Sequence, residues 1–552
     1  MNDQLPETSG KTAPWAALLA LAAILVFFGV LRFRLLDTPL ERDEGEYAYT
    51  AQIMLNGSAP YVDSHSMKLP GIFLVYAGIM LLFGQTVAGI HLGLLVAVSI
   101  STILVFVLAR RLLDDPSAVA AAAVFAVLSS GRAAIGFTAN AEPFLVPFAL
   151  AGLILVRRGF EGRRAAGRLF LAGLFFGAAF LVKQHGAVFG LFGGIYLLFQ
   201  LKRPSASSLG RRWGALAAFA GGAVLPFAAA CLVFWRMGIF RAFWFYTVTY
   251  ARTYVSQSES AGVVDNFLLV LWRLIAAAPL LWLLVAIGIV SVARRKRPDG
   301  PRGFLLGLAG ASFLSLVPGF YFRPHYFILF FPAAALLAGA AAMRGLAWLK
   351  RHASSATRRA VTAALALVIF GGQVYLERGL LFASDAKEAI WQMYGPAPFT
   401  FNEARDVATM LKPRLSPSDK VAVMGSEPQI YFYLKRRAPT PFIYFYYLTE
   451  GHSYAEGMRR EFIADMERSR PEYLVTISSW KAEASTLDSY KSLLGWYEAY
   501  RDRHYELTGL AEIVSRRRTV FLWGEEARRH KVHSGLTFLI YRRTDVQSSP
   551  TD

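Results

Sequence analysis

Apolar runs long enough to cross a membrane recur along roughly the first 375 residues of the chain. The first, Leu18–Leu36, is too long for the core of a secretory signal, and no convincing small-residue cleavage site follows it. It is expected to be a retained span. The patterning predicts spans at 15–36, 87–109, 117–137, 143–157, 168–184, 186–201, 214–235, 267–293, 303–321, 326–343 and 360–376, about eleven in all. Two other stretches, 44–56 and 71–84, are expected to lie as helices at the outer membrane surface. The second is apolar but only about 14 residues long, short of the roughly 20 that a span needs.

The pattern changes near residue 385. "KVAVMG" (420–425), "EYLVTI" (472–477), "TVFLWG" (519–524) and "LTFLIY" (536–541) read as strands. "NEARDVATMLKPRL" and "AEGMRREFIADMERS" have helical spacing. Alternating strands and helices predict a small α/β domain over 385–552, following a membrane-embedded α-helical domain over 1–384. The final "QSSPTD" is expected to be disordered.

Composition supports a membrane class. Hydrophobic residues make up 55% of the chain and charged residues 17%, against about 25% charged in ordinary soluble domains. The net charge of +20 raises nucleic acid as a partner, but its distribution argues against one. The excess lies in short loops: Arg110-Arg111, Arg157-Arg158 with Arg163-Arg164, Lys202-Arg203 with Arg211-Arg212, Arg294-Arg295-Lys296-Arg297, and Lys350-Arg351 with Arg358-Arg359. Placing all five clusters in the cytoplasm gives one consistent threading, with the N-terminus inside and the α/β tail outside. Cys231 is the single cysteine, so no internal disulfide or cysteine-based zinc site is possible. P-loop, G-x-S-x-G and H-E-x-x-H signatures are absent, so ATP-driven transport and serine or zinc hydrolysis have no support.

On this threading several charged side chains gather on the outer side, where each has a plain reading and a functional one. Asp43 and Glu44 in "ERDEGEYAYT" are read either as helix capping or as a catalytic pair. Lys68 in "DSHSMKLPG" is a snorkelling lysine or a cation for a lipid-linked phosphate, and His65 beside it is a solvated loop residue or a ligand. Glu142 in "NAEPFLV" starts a helix, binds Mg²⁺ or Mn²⁺, or orients an acceptor. Lys183 and His185 of "LVKQHG", with Arg323 and His325 of "YFRPHYF", are interface anchors or part of a phosphate pocket. The aromatic loop 238–254, with Tyr246, Tyr250 and Arg252, is an interfacial belt or a groove for a polyprenyl chain or sugar.

The order of these motifs carries a resemblance. "RDEGEYAY", "KLPG", "NAEPF", "VKQHG" and "RPHYFILFFPAAALLAG" follow one another, and the tail adds "VMGSEPQIYFYLKRRAPTPFIY" and "RPEYLVTI". The arrangement resembles bacterial GT-C glycosyltransferases of the protein O-mannosyltransferase and lipid A aminoarabinose-transferase type. The resemblance implies transfer of a sugar from a polyprenyl-phosphate donor, undecaprenyl phosphate in a bacterium, to a lipid, glycan or protein at the outer face of the inner membrane. It places Asp43 at the catalytic position with Glu44 beside it. It matches Lys68 to the family lysine, Glu142 to a position where relatives often have an aspartate, and Arg323–His325 in general pattern; the residues themselves put Lys68, Lys183, Arg323 and His325 around the donor phosphate and Glu142 and His65 around the acceptor or a divalent cation. Some members carry a glutamate just before the family lysine; this chain has Met67 there. Two other classes stay open, a flippase of lipid-linked saccharide and a membrane-anchored partner protein. Transporters often show internal repeats and mid-membrane polar residues, and neither is detectable here.

Overall fold

The computed structural model describes residues 14–159, 165–201, 209–256, 262–294, 301–395, 400–478 and 491–545. The clusters Arg163-Arg164, Lys202-Arg203 and Arg295-Lys296-Arg297, and the terminal "QSSPTD", lie outside the described residues.

The membrane half opens with nine helices: α1 (Pro14–Phe33), α2 (Arg42–Leu55), α3 (Pro70–Phe83), α4 (Val87–Leu112), α5 (Asp115–Leu128), α6 (Ala141–Arg157), α7 (Ala165–Val182), α8 (Gly186–Leu201) and α9 (Leu209–Arg236). Local chemistry sets their starts. Thr86 accepts from Gly89 N at 3.0 Å to cap α4, Asp114 accepts from Ser117 N at 3.0 Å to cap α5, and Pro70 occupies the first turn of α3. Among the described residues six helices are long and apolar enough to span a membrane, or seven if one bent pair counts as a single span. Asp115–Leu128 is 14 residues long, and at about 1.5 Å per residue it falls short of a core about 30 Å thick. The run expected at 267–293 is broken instead into Val263–Ala277 and Pro279–Ala293, bent by 105°. Ala278 leaves the helical region there, as a residue preceding proline tends to do.

Helix α2 is covered by protein on both sides. Glu44 to Ile53 are buried, and the helix packs on α3 on one side and on Gln429–Leu434 of the tail on the other. Helix α3 does show an apolar outer face, with Leu74, Leu81 and Leu82 exposed.

Two glycines allow the close approaches around α2 and α3. A Cβ on Gly45 would lie 2.6 Å from the Gln429 backbone nitrogen, and one on Gly71 would lie 2.4 Å from the Leu181 carbonyl carbon. A glycine inside a helix costs about 1 kcal/mol relative to alanine, and here it admits a second backbone. Gly45→Ala is expected to lower stability by about 1–3 kcal/mol through overpacking against the tail, measured as a fall in melting temperature in detergent.

The tail forms a five-stranded mixed sheet in the order β1-β2-β5-β3-β4. Its strands are β1 (Val421–Met424), β2 (Tyr473–Ile477), β3 (Tyr505–Ser515), β4 (Arg518–Trp523) and β5 (Thr537–Arg543). β1 and β2 are parallel and the remaining pairs antiparallel. Sequence periodicity located four of these strands and missed β3. The helices at Phe401–Leu411 and Ala455–Ser469 match the expected helical segments.

Polar contacts tie the tail to α2 and its flanking loops. Leu40 N donates to Tyr433 Oη at 2.9 Å, Ala438 N to Tyr49 Oη at 2.8 Å, and His65 N to Pro441 O at 2.9 Å. Arg42 grips the buried Glu427 through Nη2 at 3.0 Å and Nε at 3.2 Å.

Candidate active site

The carboxylate of Asp43 stands at the start of α2 without serving as its cap. Glu41 caps the helix, forming a reciprocal capping box with Glu44. Asp43 is left a quarter exposed, with its Oδ2 3.6 Å from Lys68 Nζ. Tyr444 of the tail reaches its other oxygen, donating from Oη to Oδ1 at 3.5 Å. Burial alone would raise the Asp43 carboxyl, but Lys68, His325, Lys183 and Arg323 outweigh it and hold the group below the ordinary carboxylate value.

Glu44, the other half of the expected acidic pair, is held differently from Asp43. It is fully buried. Oε2 accepts from Glu41 N at 2.8 Å, and Oε1 accepts from Ala139 N and faces His91 Nε2 at 3.1 Å. His91 Nδ1 meets the Leu36 carbonyl at 2.7 Å. Both carboxylate oxygens are thus engaged, tying α2 to α4 and to the loop before α6, with His91 reaching on to the turn after α1.

Opposite Asp43, Lys183 of the short α7–α8 link contacts Glu142 Oε1, and His325 Nε2 lies 4.0 Å from the same oxygen. Lys183 Nζ also sits 4.0 Å above the Tyr326 ring. Glu142 is completely buried and its Oε2 has no hydrogen-bond partner among the described residues. Arg323 is exposed at the rim, 5.7 Å from the Tyr321 ring centre. The structure therefore brings Asp43, Lys68, Glu142, Lys183, Arg323 and His325 into one electrostatic cluster.

The remaining candidates lie apart from it. His65 is buried, stacked 4.3 Å on Tyr246 and edge-on to Phe442 at 4.5 Å, so it packs the joint between the two halves. Tyr250 packs 4.7 Å from Tyr447 in the same joint, and Arg252 is exposed. Tyr246 and Tyr250 are interface residues in this arrangement rather than walls of an open groove. Among the described residues no group of three or more His, Cys, Asp or Glu side chains is placed to hold one, and Lys183 already neutralises Glu142.

Two residues near the site escaped sequence reading. Tyr444 is 401 positions from Asp43, so no local pattern links them. Glu46 is three positions on from Asp43, on the same helix face, a spacing that was available in the sequence.

Residues 64–229 match a family model described as dolichyl-phosphate-mannose-protein mannosyltransferase. The undecaprenyl phosphate-alpha-4-amino-4-deoxy-L-arabinose arabinosyl transferase of Pseudomonas aeruginosa is 27% identical over 310 residues, covering 48% of this chain and 54% of that protein. Its counterpart in Pseudomonas paraeruginosa is 26% identical over the same length. The chain thus matches about half the length of these relatives. In three dimensions it is similar to ArnT from Cupriavidus metallidurans bound to undecaprenyl phosphate, with a TM-score of 0.54 and 20% identity over 86% of this chain and 96% of that one. The archaeal oligosaccharyltransferase AglB from Archaeoglobus fulgidus, in complex with an inhibitory peptide and a dolichol-phosphate, gives a TM-score of 0.52 and 13% identity over 96% of this chain and 77% of that one. The chain shares the overall fold of these two membrane proteins, and the segment matching the mannosyltransferase family model holds Lys68, Glu142 and Lys183.

Proposed function

We propose that this protein is an integral-membrane glycosyltransferase that moves a sugar from a polyprenyl-phosphate donor to a lipid, glycan or protein acceptor at the outer face of a bacterial inner membrane. The observation that carries the reading is the Asp43–Lys68 pair, 3.6 Å apart and a quarter exposed, within the field of Lys183, Arg323 and His325. A lipid-phosphate sugar already carries its leaving group. The enzyme has to remove a proton from the acceptor hydroxyl and stabilise the departing phosphate.

Asp43 takes the acceptor proton as general base. The acceptor oxygen forms the new bond to the anomeric carbon as the carbon–oxygen bond to phosphate breaks. That bonding pair leaves with polyprenyl phosphate, whose charge Lys68 and Arg323 stabilise. Lys183, fixed by Glu142, adds to the same positive field. Direct displacement inverts the anomeric centre. Fixed side-chain cations supply the charge in this scheme.

The test is a proteoliposome assay offering undecaprenyl-phosphate sugars one at a time. The aminoarabinose donor named for the Pseudomonas relatives comes first. Release of undecaprenyl phosphate together with a glycosylated acceptor in mass spectrometry is the expected result. Donor crossing the bilayer with no glycoside formed would overturn the reading in favour of a flippase.

A further inference from the structure

Glu46 is a fully buried carboxylate beside the site that the scheme above does not use. Its Oε1 accepts from Ser66 Oγ, and Ser66 Oγ in turn accepts from Lys68 N at 3.2 Å. Its Oε2 has no hydrogen-bond partner among the described residues. It shares a helix face with Asp43, and the two carboxylates both act on the Lys68 ammonium. The other groups around it are Tyr47 on its own helix, Tyr61 on the following loop, and Tyr444, Tyr446 and Tyr447 of the tail. These tyrosines carry no charge near neutral pH.

We propose that Glu46 is a positioning residue that, through Ser66 and Lys68, sets how basic Asp43 is. This inference rests on the glycosyltransferase reading and adds a control to the same site. When Glu46 is ionised it shares Lys68 with Asp43 and repels it, so the Asp43 charge is less compensated and the carboxylate is a stronger base. When Glu46 is protonated, Lys68 belongs to Asp43 alone and the base weakens. Burial pushes the Glu46 carboxyl up to about 7, with Asp43 adding to the rise and Lys68 and Ser66 opposing it. Asp43 is shifted the other way, so the two carboxylates titrate far apart. Proton transfer to a better-matched base is faster, so transfer should rise several-fold from about pH 6 to about pH 8.

The measurement is the pH profile of kcat and kcat/KM for wild type, Glu46→Gln and Ser66→Ala in proteoliposomes, with melting temperatures recorded alongside. Glu46→Gln is expected to remove the step near neutral pH and leave a flat profile. Ser66→Ala removes a hydrogen bond that favours the charged form, so the step should move to higher pH. A uniform rate loss with the step intact in Glu46→Gln would show a merely structural role and overturn the inference. Should Glu46→Gln fail to fold, an unmoved step in Ser66→Ala would do the same. Absence of glycoside formation by the wild type would instead overturn the proposed function.

Discussion

Asp43→Asn is expected to lower sugar transfer by about 10²-fold or more while the protein folds as before. The change is isosteric and removes the negative charge, and with it the ability to take a proton. Structure should survive because Glu41 and Glu44, not Asp43, cap α2. The broken pair with Lys68 is a quarter exposed, and Glu46 still acts on the Lys68 ammonium in the variant, so the lysine keeps a nearby carboxylate. The check is single-turnover transfer in proteoliposomes with a melting curve beside it. Turnover near wild type would remove Asp43 from the role of base. The wild-type carboxyl lies below its ordinary value of 3.8. It is therefore ionised and competent throughout the neutral range. Loss of activity through protonation of Asp43 itself begins only when pH falls through that depressed value.

Lys183→Met is expected to cost about 3–5 kcal/mol of stability, the size found when one partner of a buried pair is removed. Glu142 is completely buried, and Lys183 contacts one of its oxygens while the other has no partner among the described residues. Methionine fills the space of the lysine stem and leaves the buried carboxylate without its cation. A loss of that size is a large part of the roughly 5–15 kcal/mol that stabilises a typical folded protein. Lys183→Met combined with Glu142→Gln should recover most of the loss, because the buried charge is then gone. Unfolding in mixed detergent, arranged as a double-mutant cycle, reads both effects. A single-variant loss below about 1 kcal/mol would mean that the pair is solvated and contributes little.

The relation of Glu44 to Asp43 shows where sequence reading stops. The two carboxylates are adjacent in "RDEGEY" and read as a catalytic pair. Adjacent positions on a helix point about 100° apart, so one stays a quarter exposed beside Lys68 and the other faces His91 and the Ala139 amide. Which is which depends on the helices packed around α2, and nothing within ten residues encodes it. The Gly45 position is similar. A glycine in a helix is legible as an anomaly, but its reason is the Gln429 backbone far along the chain.

Hydrophobic period and charge clusters, which are local, located α1 to α9, the α/β tail and four of its five strands. The strand they missed, β3, is interrupted by Gly509 and Glu512 and is held between β5 and β4. Motif order alone was enough to name the fold and to gather Asp43, Lys68, Glu142, Lys183 and Arg323 as candidates. Tertiary structure decided how they pair: Asp43 with Lys68, Glu142 with Lys183, Glu44 with the scaffold, and Tyr444 beside Asp43 from 401 residues away. The division has a physical cause. Apolar burial follows a repeat of a few residues that one segment carries by itself, whereas a charge's role is set by the groups within a few ångströms of it, which here come from both halves of the chain.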